Sequence, residues 1–448
     1  MQRLAGVILL IGILFITSCA DDDGSEEVFE LKPPALSQPT AVSTTAFSMD
    51  WEEVPGADAY EFDVSIEQDF STFLSTYTAV RENRSRTNVI DLDPSTTYYF
   101  RARTIIGLEL SENSNVIAVT TMDEAPPEPD TPLKSVADFA VGMAVRASRL
   151  NGLHEEVLLR EYDQITSEFE MKMNIMYPSE GNYNFTQADA TVNWAVDNGV
   201  EVHGHALIWH SATPSWVENF SGTDEEFETM VEDYIKTTVT RYKGKVKSWD
   251  VVNEAFEDGS GELRNSVFRQ RMGDDYIAKC YQWTREADPD VLIFYNDYNM
   301  VVDPVKRGAA IDMVRDFLDR GVPVDGFGFQ MHISHNGPSK SLIASTAQEV
   351  VDLGILLHFS ELDVRANPGN DISMLTEERA ISQQDKYREV VEVYNAIPQA
   401  NKFALTVWGM KDDETWLTAF WGHIDWPLMY NNDFSFKKAH TGFLEGLQ

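Results

Sequence analysis

The chain has 448 residues, which is too long for one ordinary domain, and 43% of them are hydrophobic, so it can bury a sizeable core. Its 35 basic and 73 acidic residues give a formal net charge of −38. Because such a surface repels phosphate backbones, we expect no nucleic-acid partner. The two cysteines, Cys19 and Cys280, are too few for a disulfide framework.

Residues 1–19 have the pattern of an export signal. Arg3 precedes an apolar run over 4–16, which is short for a permanent membrane span. The run is followed by Thr-Ser-Cys, ending at Cys19, and then by an acidic stretch. This arrangement resembles a bacterial lipoprotein signal, in which cleavage leaves Cys19 as the lipidated N-terminus. A plain secretory signal with an incidental cysteine is the alternative.

The resemblance implies an exported bacterial lipoprotein, held on the outer membrane by the lipid on Cys19. The acidic stretch after Cys19 resembles a surface-export signal, but a solvated acidic linker would have the same composition, so the periplasmic face and the cell surface both stay open. Residues 20–36 would then form an acidic tether. Cys280 would be the only cysteine of the mature chain. It lies in a helical pattern, and we expect it to be a small buried hydrophobe.

Residues 37–122 alternate between apolar and polar side chains, and turn signals separate the alternating segments. Segments 47–51 and 60–66 are predicted to be half-buried strands. Short strands at this spacing favour an all-β, immunoglobulin-like sandwich. Trp51 and the Leu-x-Pro-x-Thr-x-Tyr pattern ending at Tyr98 resemble a fibronectin type III domain, whose tyrosine makes a corner hydrogen bond. We expect this domain to be a spacer, and a glycan-binding module is the alternative.

Residues 123–134 are rich in proline and acidic residues and predict a stiff, extended linker. From 135 to 448, short apolar runs alternate with helical patterns such as 225–242, 274–287 and 377–394. Eight such repeats predict an α/β fold, a (β/α)₈ barrel, and no glycine-rich phosphate motif supports a doubly wound sheet instead. The eight predicted strands are 139–145, 165–173, 200–209, 246–254, 291–298, 324–333, 355–364 and 403–408.

Glutamates lie at the ends of two of these runs, where the active sites of such barrels are found. Glu254 closes the fourth run and Glu361 lies near the end of the seventh. Two glutamates three strands apart can face each other across the barrel axis. A glycoside hydrolase needs such a pair, one to protonate the leaving oxygen and one to attack the anomeric carbon. Paired carboxylates alone are weak evidence, because carboxylates on a barrel rim often cap helices or pair with arginine.

Six motifs strengthen this interpretation, because they occur in order along the barrel. They are GHALIWH at 204–210, WDVVNE at 249–254, YNDYN at 295–299, GFQMH at 328–332, SELD at 360–363 and TVWGM at 406–410. Together they resemble glycoside hydrolase family 10. The resemblance covers the chain from about Leu133 to its end. It implies a retaining endo-β-1,4-xylanase that acts on xylan or xylo-oligosaccharides and requires neither a metal nor an organic cofactor.

Matched position by position, the resemblance makes Glu254 the general acid/base and Glu361 the nucleophile. Asn253 corresponds to the residue that binds the 2-hydroxyl of the attacked sugar, and His332 and Asp363 to a pair that holds Glu361. Strand alternation independently places Glu361 and Asp363 on one face, but it does not explain how Asn253 and Glu254 both reach the site.

The resemblance also implies sugar contacts at nine further positions. Three tryptophans among them would form aromatic walls, Asn296 and Tyr298 would lie on the leaving-group side, and Gln330 with three others would make polar contacts. The nine positions are Glu168, Lys172, His205, Trp209, Asn296, Tyr298, Gln330, Trp408 and Trp416.

Two other functions remain open. His203 and His205 form an H-x-H pair, which binds a divalent cation in some hydrolases, although His203 occupies a position where the family usually has arginine. A surface lipoprotein that only binds glycan is the second alternative. The sequence leaves the oligomeric state open.

Two departures from the family bear on substrate choice. Phe169 replaces an asparagine, and Ala212 replaces a glutamine. In relatives these residues hydrogen-bond the sugar one step beyond the scissile unit. We therefore expect a preference for decorated or mixed-linkage xylan, unless Phe169 has only a packing role in the core.

Overall fold

The structure is a computed structural model that describes residues 30–39, 42, 47–83, 85–121 and 131–448. Cys19 and the predicted linker as far as residue 130 lie outside these ranges. Contacts divide the chain into two units, Met1–Glu124 and Ala125–Gln448. No helix in the described ranges is long and apolar enough to cross a membrane.

The N-terminal unit contains antiparallel strands. They are β1 (Phe47–Asp50), β2 (Ala59–Ser65), β3 (Val80–Glu82), β4 (Arg86–Val89), β5 (Thr97–Ile106), β6 (Glu109–Leu110) and β7 (Ile117–Thr120). One sheet pairs β1 with β4, and a second has the order β3-β2-β5-β6, with β7 also paired to β5.

The alternation of β5 explains how this unit builds its core. Tyr98, Phe100 and Ala102 alternate along the strand and are buried on one face. The ring of Phe100 stacks on Trp51 at 6.1 Å and on Phe62 at 5.2 Å. The backbone N–H of Asp93 donates to the Tyr98 hydroxyl at 2.9 Å, which ties the turn before β5 to the core.

The C-terminal unit is a closed parallel barrel. Its strands are β8 (Ala140–Val145), β9 (Gln164–Ser167), β10 (Glu201–Gly204), β11 (Ile208–Trp209), β12 (Ser248–Asn253), β13 (Leu292–Asp297), β14 (Gly326–Phe329), β15 (His332–Ser334), β16 (Leu356–Arg365) and β17 (Lys402–Val407). The ring runs β8-β9-β10-β12-β13-β14-β16-β17 and returns to β8, and two short strands, β11 and β15, extend it.

Helices cover the barrel and bury its outer face, which confirms the predicted (β/α)₈ architecture. They are α1 (Gly152–Glu161), α2 (Met173–Met176), α3 (Thr186–Asn198), α4 (Ser215–Glu218), α5 (Asp224–Arg241), α6 (Val267–Met272), α7 (Tyr276–Ala287), α8 (Pro304–Arg320), α9 (Lys340–Val351), α10 (Glu377–Ala396), α11 (Leu417–Trp421) and α12 (Lys438–Leu447). Cys280 is fully buried in α7, as predicted.

Local sequence signals set the helix ends. Thr223 begins α5 with a capping box, in which its hydroxyl accepts from the Glu226 N–H while the Glu226 carboxylate accepts from the Thr223 N–H. Asp303 accepts from the first N–H groups of α8, and Pro304 occupies its first turn.

Each predicted run overlaps a barrel strand, but the second prediction, 165–173, is too long. Strand β9 ends at Ser167, and the rest of the predicted run forms a turn that leads into α2 at Met173. The apolar pattern continues because Met171 and Met173 are also buried in the core. Leu133, at the end of the predicted linker, is buried in the same core.

Candidate active site

The two glutamates lie at the carboxyl ends of their strands. Glu254 follows β12 directly, and Glu361 lies in the second half of β16. Glu361 is only 4% exposed, so most of its surface is shielded from water. The same rim carries polar residues from β13, β15 and the turn after β9. The barrel therefore collects these side chains at one end.

Backbone geometry explains how Asn253 and Glu254 both reach the site. Glu254 has φ of +55°, a left-handed conformation that ends the strand and breaks its alternation. The register of β12 against β13 also shifts between Asp250 and Val252, which is the signature of a bulge. A regular strand would have placed the two side chains on opposite faces.

Three side chains donate hydrogen bonds to the Glu254 carboxyl group. The Trp209 indole N–H donates to Oε2 at 2.9 Å, and the Gln330 amide donates to Oε1 at 3.0 Å. Asn253 Nδ2 donates to the same Oε1 at 3.2 Å. Arg264 donates to the backbone carbonyl of Glu254 at 2.9 Å. Glu254 is thus fixed from both its side chain and its backbone.

Asn296 links the two halves of the site. Its Nδ2 donates to Glu361 Oε1 at 2.8 Å and to Asn253 Oδ1 at 3.0 Å, and its Oδ1 accepts from the Ser360 hydroxyl. A Cβ at Gly328 would lie 2.3 Å from Asn296 Oδ1, so only glycine leaves room for this amide. Asn296 is fully buried. It therefore supports Glu361 directly, and its predicted place on the leaving-group side stays a prediction.

His332 holds Glu361 from the other side. Its Nδ1 lies 2.8 Å from Asp363 Oδ2, and its Nε2 lies 3.3 Å from Glu361 Oε2. Burial by itself lowers the pKa of His332, but the two carboxylates outweigh it and raise the pKa to about 10. The ring is thus an imidazolium at neutral pH. The Trp416 indole donates to the same Asp363 oxygen at 3.0 Å.

Lys172 is a second cationic side chain at this end of the barrel. Its ammonium lies 4.7 Å from the centre of the Trp209 ring and 5.0 Å from that of Phe169. Burial lowers its pKa, and the charges of Glu361 and Glu168 partly oppose that effect. Lys172 thus contacts the rings of both Trp209 and Phe169.

Arg146 adds a contact that the sequence did not reveal. Its guanidinium makes two hydrogen bonds to Glu168, at 2.8 and 3.0 Å, and covers the Phe169 ring at 4.4 Å. Phe169 is 42% exposed, so the packing role in the core that was its alternative is wrong. Ala212 is buried.

The H-x-H pair faces one carboxylate in the barrel interior. Asp250 Oδ2 lies 2.9 Å from His205 Nδ1 and 3.1 Å from His203 Nε2. Burial alone raises the pKa of Asp250, but the two imidazoles hold it well below its usual range. Among the described residues, no cluster of three or more His, Cys, Asp or Glu side chains is placed to hold a metal ion.

Tyr298 lies at the edge of this network. Its hydroxyl accepts from Arg264 at 2.6 Å and donates to Asp258 at 2.9 Å. Lys306 lies 3.4 Å from the centre of its ring and 2.7 Å from Asp297. Burial raises the pKa of Asp297 to about 7, although Lys306 opposes that effect.

Most of the predicted site residues thus join one network. Trp408 is 8% exposed, and its ring lies 5.4 Å from His205 and 6.4 Å from His332. Sequence reasoning did not identify Asp250, Arg264 and Arg146. Asp250 could have been found because it lies within the WDVVNE motif. No sequence pattern, in contrast, predicts that Arg146 contacts Glu168 or that Arg264 contacts Glu254.

A parallel barrel that joins two glutamates in one polar network at the carboxyl ends of its strands has the layout of a glycoside hydrolase. The model of glycosyl hydrolase family 10 matches residues 133–445. The chain therefore belongs to glycosyl hydrolase family 10.

Two relatives illustrate the similarity. The chain is 38% identical over 341 residues to endo-beta-1,4-xylanase Xyn10C of Cellvibrio japonicus, covering 69% of this chain and 56% of the relative. It is 37% identical over 313 residues to a beta-1,4-xylanase of Dictyoglomus thermophilum, covering 67% of this chain and 86% of the relative. The chain thus spans little more than half the length of the Cellvibrio relative.

Solved structures agree with these relatives. A variant of Xylanase10C from Cellvibrio japonicus in complex with xylopentaose superposes with a TM-score of 0.71 and 31% identity, covering 92% of this chain and 89% of that one. XynB from Paenibacillus barcinonensis, complexed with a conduramine derivative, gives a TM-score of 0.68 and 33% identity, covering 72% of this chain and 100% of that one.

Proposed function

We propose that this chain is a retaining endo-β-1,4-xylanase. The observation that carries the proposal is the chain of hydrogen bonds from Glu254 through Asn253 and Asn296 to Glu361. It holds an acid/base candidate and a nucleophile candidate in a fixed relation at the barrel rim. The xylanase names of the relatives support xylan as the substrate.

The first half-reaction forms a glycosyl-enzyme intermediate. A carboxylate oxygen of Glu361 attacks the anomeric carbon as the bond to the leaving oxygen breaks, and Glu254 gives its proton to that oxygen. Asn296 and the imidazolium of His332 hold Glu361 so that an oxygen can point at the sugar. Trp209 and Gln330 orient Glu254 in the same way.

The second half-reaction releases the sugar. Glu254, now ionised, takes a proton from water, and the water oxygen attacks the anomeric carbon. The bond to Glu361 breaks, and the electron pair returns to its carboxylate. The imidazolium of His332 also favours this step, because it stabilises the charge that returns to Glu361. Two inversions give net retention.

Replacing each glutamate tests this assignment. Glu361→Ala should abolish release of reducing sugars from xylan, and azide should restore cleavage of an activated aryl xyloside with an inverted product. Glu254→Ala should spare substrates whose leaving group needs no proton and cripple those that do. Normal xylan hydrolysis by Glu361→Ala would remove this residue from the mechanism. A chain that binds xylan but never cleaves it would be the non-catalytic alternative.

We also propose that the site prefers decorated or mixed-linkage xylan. Phe169 offers an exposed apolar face backed by Arg146, where relatives are expected to present an amide. A sugar beyond the scissile unit would then be bound by stacking rather than by hydrogen bonds. Product profiles on plain, arabinose-bearing, glucuronate-bearing and mixed-linkage xylans test this preference.

The remaining proposals concern the N-terminal part. We infer that Cys19 is lipidated and anchors the chain to the outer membrane. We also infer that the antiparallel strands form a fibronectin type III-like sandwich, supported by the hydrogen bond from the Asp93 N–H to the Tyr98 hydroxyl. Labelled palmitate should enter the wild-type chain and not Cys19→Ala. Intact cells should digest added polymeric xylan, and digestion only after lysis would refute a surface location.

A further inference from the structure

A series of aromatic rings leads away from the candidate active site. It starts at Trp416, whose ring lies 4.9 Å from that of His332. The Phe420 ring lies 5.0 Å from Trp416, and the Trp421 ring lies 5.0 Å from Phe420. Phe420 is 63% exposed and Trp421 is 51% exposed, whereas Trp416 is half-buried. The series therefore runs from the catalytic network into solvent.

The exposure of these rings is not required by the fold. Helix α11 buries only Leu417, so the barrel needs one of its five side chains. Ile424, which is 50% exposed, follows shortly afterwards and enlarges the apolar area. Scattered single apolar residues are common on protein surfaces, but consecutive exposed aromatic rings are typical of a binding surface.

Trp421 is also held in place from behind. The Arg365 guanidinium lies 4.6 Å from the centre of the indole. Arg365 is itself fixed by Asp425 Oδ2 and His423 Nε2, each at 3.2 Å. Asp425 is buried, and its Oδ1 accepts from three backbone N–H groups, those of Ala366, Asn367 and Trp426. A fixed cation therefore covers one side of the indole, and the exposed remainder is preorganised.

We propose that Phe420 and Trp421 form an extra sugar-binding platform outside the catalytic cleft, where a further pyranose ring of the bound xylan chain stacks. The proposal rests on the proposed xylanase function. Continuity with Trp416, which donates to Asp363, favours the polysaccharide as the occupant rather than an unrelated protein. A pyranose is uncharged and has apolar C–H faces, so it can stack on the uncharged rings of Phe420 and Trp421.

Binding to an inactive enzyme tests the platform. Phe420→Ala and Trp421→Ala are each placed in the full chain carrying Glu361→Ala, and affinities for xylotriose, xylohexaose and soluble xylan are measured by calorimetry. We expect the loss of affinity to grow with ligand length and to reach about tenfold for the polymer. Trp421→Phe keeps a stacking face and should recover most of that affinity.

Val196 provides the matched control. It is exposed to a similar degree, at 50%, on α3, and Val196→Ala should leave all three affinities unchanged. Circular dichroism checks the fold of each variant. If the alanine variant of Trp421 does not fold, Trp421→Phe and Phe420→Leu decide the question, because both retain apolar bulk and only the second removes an aromatic face.

Three results would overturn the platform. Equal losses for xylotriose and xylan would mean that the rings act through Trp416 on the cleft. Unchanged affinity for the polymer would mean that no sugar stacks there. A change in sedimentation from dimer to monomer in Trp421→Ala would identify a self-association surface instead. Failure of the unmodified chain to hydrolyse xylan would refute the proposed function separately, because the binding measurements use the inactive variant.

Discussion

Replacing His332 with asparagine should remove a pH-dependent part of the free energy of unfolding. Both partners of the imidazolium are buried, Glu361 at 4% and Asp363 at 0% exposure, and the histidine side chain is only 16% exposed. Water therefore screens these charges weakly. The raised pKa means that the folded state binds this proton more tightly than the unfolded chain does.

The size of the effect follows from the two pKa values. A rise from the ordinary 6.5 to about 10 corresponds to about 5 kcal/mol, at about 1.4 kcal/mol per pH unit. Because the folded pKa is raised, this stabilisation is complete below pH 6.5 and disappears as the pH rises through 10. About 3 kcal/mol should remain at pH 8.

Denaturant unfolding of the barrel at pH 6.5 to 9 measures the effect. The difference in unfolding free energy between wild type and His332→Asn should shrink by about 1.4 kcal/mol per pH unit across this range. His335 is the control, because burial lowers its pKa and its contribution therefore changes only at acid pH. A difference that stays constant for His332→Asn would show that His332 is neutral in the folded protein.

Three other changes have definite expected outcomes. Phe169→Asn combined with Ala212→Gln should lower KM for plain xylotriose by about tenfold, since each restored hydrogen bond contributes about 0.5–1.5 kcal/mol; an unchanged ranking of substrates would contradict this. Lys306→Met should lower the urea unfolding free energy by about 3 kcal/mol at pH 9, about two units above the pKa of Asp297, because this buried carboxyl must bind a proton once its cation is gone, whereas Lys236→Met, at a surface pair, should cost less than about 1 kcal/mol. In a chain carrying Cys19→Ala, the Cys280 thiol should react with a disulfide reagent only after denaturation, because burial raises its pKa well above the usual range; rapid reaction of the native chain would contradict this.

The sequence by itself determined the architecture of the barrel and the position of two glutamates near the carboxyl ends of its strands. Apolar runs predict strands because each barrel strand is buried on both faces. Its residues are therefore apolar whichever strands lie beside it, and the run can be recognised from the sequence alone. The two-residue spacing of Glu361 and Asp363 also predicted a shared face, and both contact His332. These features depend on local periodicity, which can be read along the chain.

Tertiary structure decided where alternation fails and which distant residues meet. The left-handed conformation of Glu254 and the bulge in β12 let the side chains of Asn253 and Glu254 reach the same site. The periodicity of the sequence does not predict this break in alternation. The placement of Asn296 between Asn253 and Glu361 depends on three strands that are far apart in sequence. Such contacts arise only when the barrel closes, because closure sets the distances between side chains that the sequence keeps apart.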